Sequence, residues 1–189
     1  MPPKTKFDKD AIIDAGLAIA KEEGLSAITA RSVAKRLCSS VAPIYVNFVN
    51  IEDLTDAVAG RVFSMSEDLL AKQNGKSMFE NIGKASLAFA REYPVLFREL
   101  SMQPNPYMAS YEVMEKAMLA AMAEDENVRA LTFEQRRRLL LKMRVFHMGL
   151  SAMVANGHVP SWMDNQEFDR LLIEVGDDML RASQMKEKG

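Results

Sequence analysis

A single cysteine in 189 residues leaves nothing for an internal disulfide or a multi-cysteine zinc site. Only two histidines are present, and no metal constellation or cofactor is expected. No apolar run approaches a membrane span, which with the lone thiol points to the cytoplasm and to no membrane partner. No signal peptide is readable, because Met1-Pro2-Pro3-Lys4 runs straight into a charged, amphipathic stretch. A glycine-rich phosphate loop, a nucleophile motif and a clustered loop carboxylate pair are all missing, so no enzyme is expected. A strong basic excess is missing too. The formal net charge is −2, yet residues 1–50 hold seven Lys and Arg against five Asp and Glu. A mildly basic head on an acidic body suits a protein that touches nucleic acid with one end.

Helical periodicity is present almost throughout, strand alternation is not, and the expected fold is all-α. With 48% hydrophobic and 26% charged residues, the chain can bury an ordinary core. A first helix runs roughly from Asp8 to Glu23, stopped by Gly24. One opened by Asn50 runs to about Lys72 as a bridge. Others run from Ser77 to about Tyr93, from Val95 to Met102 after Pro94, and from about Tyr107 to Ala123. The acidic run Glu124 to Asn127 reads as an exposed connector. Two long helices close the chain, roughly Phe133 to Ala155 and Asn165 to Met185.

The segment from Thr29 to Leu54 carries the most information. Thr29 can cap a helix from Ala30 to Leu37 that buries Val33, Ala34 and Leu37. After a turn at Cys38 and Ser39, Ser40 can cap a second helix from Val41 to Phe48, anchored from below by Ile44 and Phe48. Asn50, with Asp53 three residues on, approaches a capping box for the third. That is the layout of a helix-turn-helix DNA reader. The residues Thr29, Val33-Ala34, Cys38-Ser39-Ser40, Ile44-Tyr45, Asn47-Phe48 and Asn50-Ile51-Glu52-Asp53-Leu54 resemble the DNA-binding motif of the tetracycline-repressor (TetR) family of bacterial transcription regulators. Upstream, Ile12, Ile13, Ala15 and Gly16 followed by Gly24 and Leu25 match as well. Cys38 stands where the family usually has glycine, Ser39 where it has valine, and Ile51 where a phosphate-touching lysine is common.

The resemblance implies a DNA-binding domain over 1–50 and an effector-binding and dimerisation domain over 51–189. It implies a homodimer on a palindromic operator in double-stranded DNA, released by a small-molecule effector of apolar or aromatic character. The reader's second helix has no charged residue, so base reading falls to Asn47, to the Ser39 and Ser40 hydroxyls, and to apolar contact of Val41, Ala42 or Pro43 with thymine methyls. Phosphate anchoring falls to Thr29, Arg31, Tyr45 and the helix start at Asn50, with Lys4 and Lys6 as a possible arm. Lys35 and Arg36 read equally well as a solvated face.

Fourteen methionines are many for this length, and Met102, Met108, Met114, Met118 and Met122 crowd the middle of the chain. With Phe89, Phe97, Tyr107, Tyr111, Phe146 and Trp162 they are candidates for an adaptable effector pocket; the alternative is a methionine-filled core. His147 reads as a core histidine and His158 as solvent-facing. Two stripes, Leu139, Met143, Phe146, Leu150 and Met153, then Phe168, Leu171, Leu172, Val175 and Met179, carry mid-helix Gly149 and Gly176. The resemblance places such a pair of final helices at a four-helix dimer interface; the alternative is that both stripes fill the protomer core. Two other functions stay open: a thiol-based redox-sensing regulator acting through Cys38, and an all-helical adaptor without DNA binding.

Overall fold

The computed structural model describes residues 7–107 and 111–185. The expected arm at Lys4 and Lys6, residue Met108, and the side chains of Tyr111 and Met114 lie outside the described residues. Among the described residues there are nine α-helices and no strand. They are α1 (Lys9–Glu23), α2 (Ala30–Arg36), α3 (Ala42–Asn47), α4 (Ile51–Ala71), α5 (Met78–Glu92), α6 (Pro94–Met102), α7 (Tyr111–Glu124), α8 (Phe133–Ala155) and α9 (Asn165–Met185). A short 3₁₀ turn, Leu25–Ala27, joins α1 to α2. Among the described residues no helix is long and apolar enough to cross a membrane.

Local chemistry sets most of the helix starts. Asp8 caps α1 through the Ala11 amide, Asn50 caps α4 through the Asp53 amide at 2.7 Å, and Ser77 caps α5 through the Glu80 amide. Thr29 and Ser32 form a reciprocal capping box on α2, and Thr132 and Gln135 form another on α8. The expected cap by Ser40 on the reader's second helix is not made. Val41 occupies the cap position and α3 begins one residue late, at Ala42. Pro43 then sits in the first turn without an amide to offer, and the Ile44 amide bonds the Val41 carbonyl instead. Pro43 thus removes the third-position amide that a Ser40 cap would have met.

Packing brings the elements together in three clusters. The largest runs from Ile12, Ile19, Val33 and Ile44 in the head through Leu54, Val58 and Val62 of α4 to Leu96 and Phe97 of α6. Gly16 is needed there, because a Cβ at that position would stand 2.8 Å from Val58 Cγ2. Leu119, Met122, Val128, Leu139 and Met143 make the second cluster, between α7 and α8. The third joins α5, α8 and α9 through Leu87, Leu150, Phe168 and Leu172. Gly83 of α5 sits beneath α8 and α9, where an added Cβ would meet His147 Nε2 at 2.8 Å and Leu172 Cδ2 at 2.9 Å. Beside it, Ser86 Oγ and the fully buried Ser151 Oγ share a hydrogen bond of 2.9 Å across the α5–α8 contact. Each of these buried leucines contributes about 1.5–3 kcal/mol by leaving water.

Candidate nucleic-acid interface and effector cavity

Helices α2 and α3 stand at one end of the molecule on α1 and α4. Ile44 and Phe48 are buried beneath α3, and Lys9 of α1 lies 5.1 Å from the Phe48 ring centroid. What remains outward is a continuous strip of Val41, Ala42, Tyr45 and Val46, with Tyr45 54% and Val46 70% exposed. The Tyr45 hydroxyl makes no hydrogen bond among the described residues. Asn47 is half-buried, and its Nδ2 donates to the Pro43 carbonyl at 2.8 Å. Its Oδ1 and the second Nδ2 hydrogen are left for a partner. Ser39 Oγ donates to the Ser40 carbonyl at 2.9 Å, while the Ser40 side chain stays exposed. Thr29 is exposed, but its hydroxyl is engaged with Ser32. Cys38 joins the two helices at φ 49°, in the left-handed region where glycine is at ease, and it is exposed rather than packed.

Charge around this face is divided. Arg31 and Lys35 are exposed and make no ion pair among the described residues. Arg36 is turned away, held by two hydrogen bonds of 2.8 and 2.7 Å to Glu22 of α1. Hydrogen bonding to Arg36 keeps the Glu22 carboxyl below its ordinary range. The first turn of α4 carries Glu52 and Asp53 beside Asn50, and Ile51 packs inward against the core.

The body contains a cavity of about 180 Å³ between α5, α7 and α8. Phe79, Ile82, Met118, Leu140, Met143 and Met148 give it apolar walls, and Ser86, Glu115, Arg144 and His147 add polar groups. A neighbouring cavity of about 260 Å³ opens between the start of α5, residues 125–128, α8 and α9; it shares Phe79, Met143 and His147 with the first. His147 is therefore not merely core filling. Burial pushes its imidazole below the usual histidine range, so it is neutral at pH 7, and it has no hydrogen-bond partner among the described residues.

Of the expected pocket residues, Met118 alone reaches the 180 Å³ cavity among those whose side chains are described. Phe89 and Phe97 are buried in the first cluster, with Tyr107 packed against it. Phe146 supports the third cluster. Met102 and Trp162, the latter 71% exposed, lie on the surface. The aromatic count drew attention to these residues, but their neighbours across the fold decide which face a cavity. His147 and Phe79 carried no local signal, since what makes room beside His147 is Gly83 on another helix.

The expected dimer stripes divide in the same way. Leu139, Met143, Leu150, Phe168 and Leu172 are buried inside the protomer, against the expectation that they meet a second copy. Helices α5, α7 and α9 clasp α8 and consume that face. Phe146, Val175, Gly176 and Met179 are half-buried. The face left outward on α8 is Leu141, Val145, Gly149 and Met153, at steps of four, with Val145 65% exposed. Ile173 of α9 is exposed as well. Gly149 meets no atom within 4 Å of a built Cβ, and Gly176 meets only Met143 Cε at 3.6 Å. Neither glycine marks a close approach within the protomer.

No family model and no curated protein matches the chain. Solved structures resemble it over nearly its whole length, two of them as follows. One is a TetR variant from Acinetobacter baumannii AYE in complex with minocycline, with 14% identity, 97% of this chain and 100% of that chain covered, and a TM-score of 0.58. The other is TetR from Acinetobacter baumannii AYE, with 17% identity, coverage of 95% and 98%, and a TM-score of 0.51. Helix order, a pair of short helices packed on α1 and α4 and a cavity-bearing helical body thus combine in a chain that has the TetR-like fold.

Proposed function

We propose that the protein is a homodimeric, sequence-specific DNA-binding transcription regulator, a repressor released from a palindromic operator by a small apolar or aromatic effector. The observation that carries this reading is the exposed strip Val41, Ala42, Tyr45 and Val46 on a short helix anchored from below by Ile44 and Phe48. A strip of that shape fits the major groove, with Val41 and Ala42 against thymine methyls, the Asn47 Oδ1 as an acceptor and Ser40 as a further polar contact. Thr29, Arg31, Tyr45 and the start of α4 at Asn50 flank it for phosphates. The effector enters the cavity lined by Met118, Met143 and His147, where the imidazole is among the hydrogen-bonding groups that an otherwise apolar ligand can meet. The structure neighbour in complex with minocycline makes a ligand in such a body reasonable. A second copy covers the outward row Leu141, Val145, Gly149 and Met153.

Mobility shifts with the promoter region of its own gene and with an unrelated duplex test the DNA reading. Tyr45→Phe is expected to weaken both duplexes, whereas Asn47→Ala weakens the promoter site selectively, by about 1–3 kcal/mol. With so few basic residues on the face, the salt dependence is expected to be shallow for a dimer. Absence of binding to any duplex would leave an all-helical adaptor as the better description. Sedimentation of Val145→Glu and Gly149→Leu, both on the outward row, is expected to give monomers; unchanged dimers would move the subunit contact elsewhere.

A further inference from the structure

The two cavities of the body meet at a shared wall. Phe79 of α5 and Met143 and His147 of α8 line both the cavity of about 180 Å³ and its neighbour of about 260 Å³. Two glycines stand against that wall. A Cβ at Gly83 would lie 2.8 Å from His147 Nε2, and one at Gly176 would lie 3.6 Å from Met143 Cε. The Met143 methyl thus ends beside Gly176, which lines the larger cavity with it. A thioether with three rotatable bonds yields readily, so one occupant can reach into both sides. Outside, an open groove between the end of α4, the start of α5 and α7 borders the pair. It shares Ile82 and Met118 with the smaller cavity, and Lys76, Ser77, Asp125 and Asn127 with the larger.

The two sides differ in chemistry. Ile82, Met118, Leu140 and Met148 wall the smaller one, and about 150 Å³ of such space is enough for a benzene ring. Its charged lining residues are one of each sign, Glu115 and Arg144, and Glu115 accepts from Arg137 at 3.0 Å. The larger side is lined by Glu80, Asp125 and Asp177, with Lys76 as the one lysine or arginine among its described lining residues. Glu80 is answered within the protein, by Lys84 Nζ at 2.8 Å and the Lys76 amide at 2.8 Å. Asp125 Oδ1 accepts from the Asn127 amide at 2.8 Å, which leaves its second oxygen. Asp177 is exposed at the rim and makes no ion pair among the described residues. Burial keeps His147 neutral, so the wall adds no cation of its own. We propose that the two cavities are lobes of one site whose ligand is an amphipathic organic amine, its apolar tail beside Met118 and Leu140 and its ammonium beside Asp125 and Asp177. Calling that ligand the effector rests on the proposed function; the site itself does not.

The test follows the methionine methyl groups of the full chain by NMR, without DNA, as compounds are added at pH 7. Met118 and Met148 report the smaller lobe and Met143 the wall. Phenylbutylamine is expected to shift all three along one saturation curve. It is expected to bind about fivefold more tightly than phenylbutanol, the advantage of an exposed ion pair, with phenylbutyrate weaker than the alcohol. Asp177→Asn is expected to cut that advantage to about twofold. Gly176→Leu, which fills the larger lobe from α9, is expected to weaken the amine about tenfold, while toluene still shifts Met118 and Met148 as in the parent. Should Gly176→Leu fail to fold, Gly176→Met is read in the same way. Shifts at Met118 and Met148 that leave Met143 untouched, or amine binding unaltered in Gly176→Leu, would overturn the two-lobed site. A carboxylate that binds as tightly as the amine, or an Asp177→Asn variant that keeps the full advantage, would overturn the cationic end. No saturable shift with any of the compounds would overturn both. If the amine binds as expected while the parent protein binds no duplex, the site stands and the regulator reading fails.

Discussion

Between Asp8 and Asn50 the chain turns a corner every few residues, and at three of those corners a side chain closes onto an amide three residues away. Between Phe133 and Met185 two long helices run with one connection between them, and what holds them is whatever packs alongside. The head is thus held in shape largely by contacts local in sequence, while the body depends on contacts between residues far apart. Sequence neighbours reveal the first kind. The second depends on which helices come together.

The contrast can be broken first in the body. Leu139 is fully buried between α7 and α8, so Leu139→Ala is expected to cost about 2–5 kcal/mol in a denaturant melt. A loss below about 1 kcal/mol would mean that this side chain has a second, external home after all. Next come two glycines that differ only in surroundings. Gly16→Ala drives a Cβ against Val58 and is expected to destabilise by about 1–3 kcal/mol. Gly60→Ala, in the middle of α4 with nothing near, is expected to stabilise by about 0.5–1 kcal/mol. The same sign for both would refute the close α1–α4 approach.

Cys38 sharpens the picture of the head. Its positive φ is strained for any residue with a Cβ and the residue is exposed, so Cys38→Gly is expected to raise stability by at most about 1 kcal/mol and, on the proposed function, to keep DNA binding. A loss in a thermal melt would show that the thiol does pack. Peroxide that abolishes DNA binding in the parent and not in this variant would revive a redox role.

The smallest expected effect is a pH slope from the body. The folded pKa of His147 lies below that of the unfolded chain, so stability is full above about pH 6.5 and falls as the pH drops toward the folded value, because the unfolded state takes up the proton first. His147→Phe is expected to flatten that part of the stability-versus-pH curve. A slope that is unchanged would assign it to other groups.

Much of the fold was legible, and for one reason. Helices α8 and α9 begin and end where periodicity puts them, and Thr29, Asn50 and Gly24 act as cap, cap and stop because capping is a matter of three or four residues. Ser40 misled because one downstream residue, Pro43, removes the donor that its hydroxyl would have met. The stripe through Leu139 and Leu150 was legible as apolar and illegible as to destination. A helix can carry apolar residues on two faces, and the row through Leu141 and Val145 became the outward one only because α5, α7 and α9 arrive on the other side. Trp162 and Met102 are pocket candidates only by chemical type, while Phe79 and His147 line the cavity by position.

Cys38 has a practical consequence. Because it is the sole cysteine and exposed, the chain carries one addressable handle at the joint of α2 and α3. On the proposed function, a spin label attached there to each subunit of the two-fold pair turns the distance between heads into a measurable ruler. Two readers that enter successive major grooves on one side of a duplex must sit about 34–36 Å apart. The label-to-label distance, with and without a compound in the cavity, would report directly whether the heads keep that spacing.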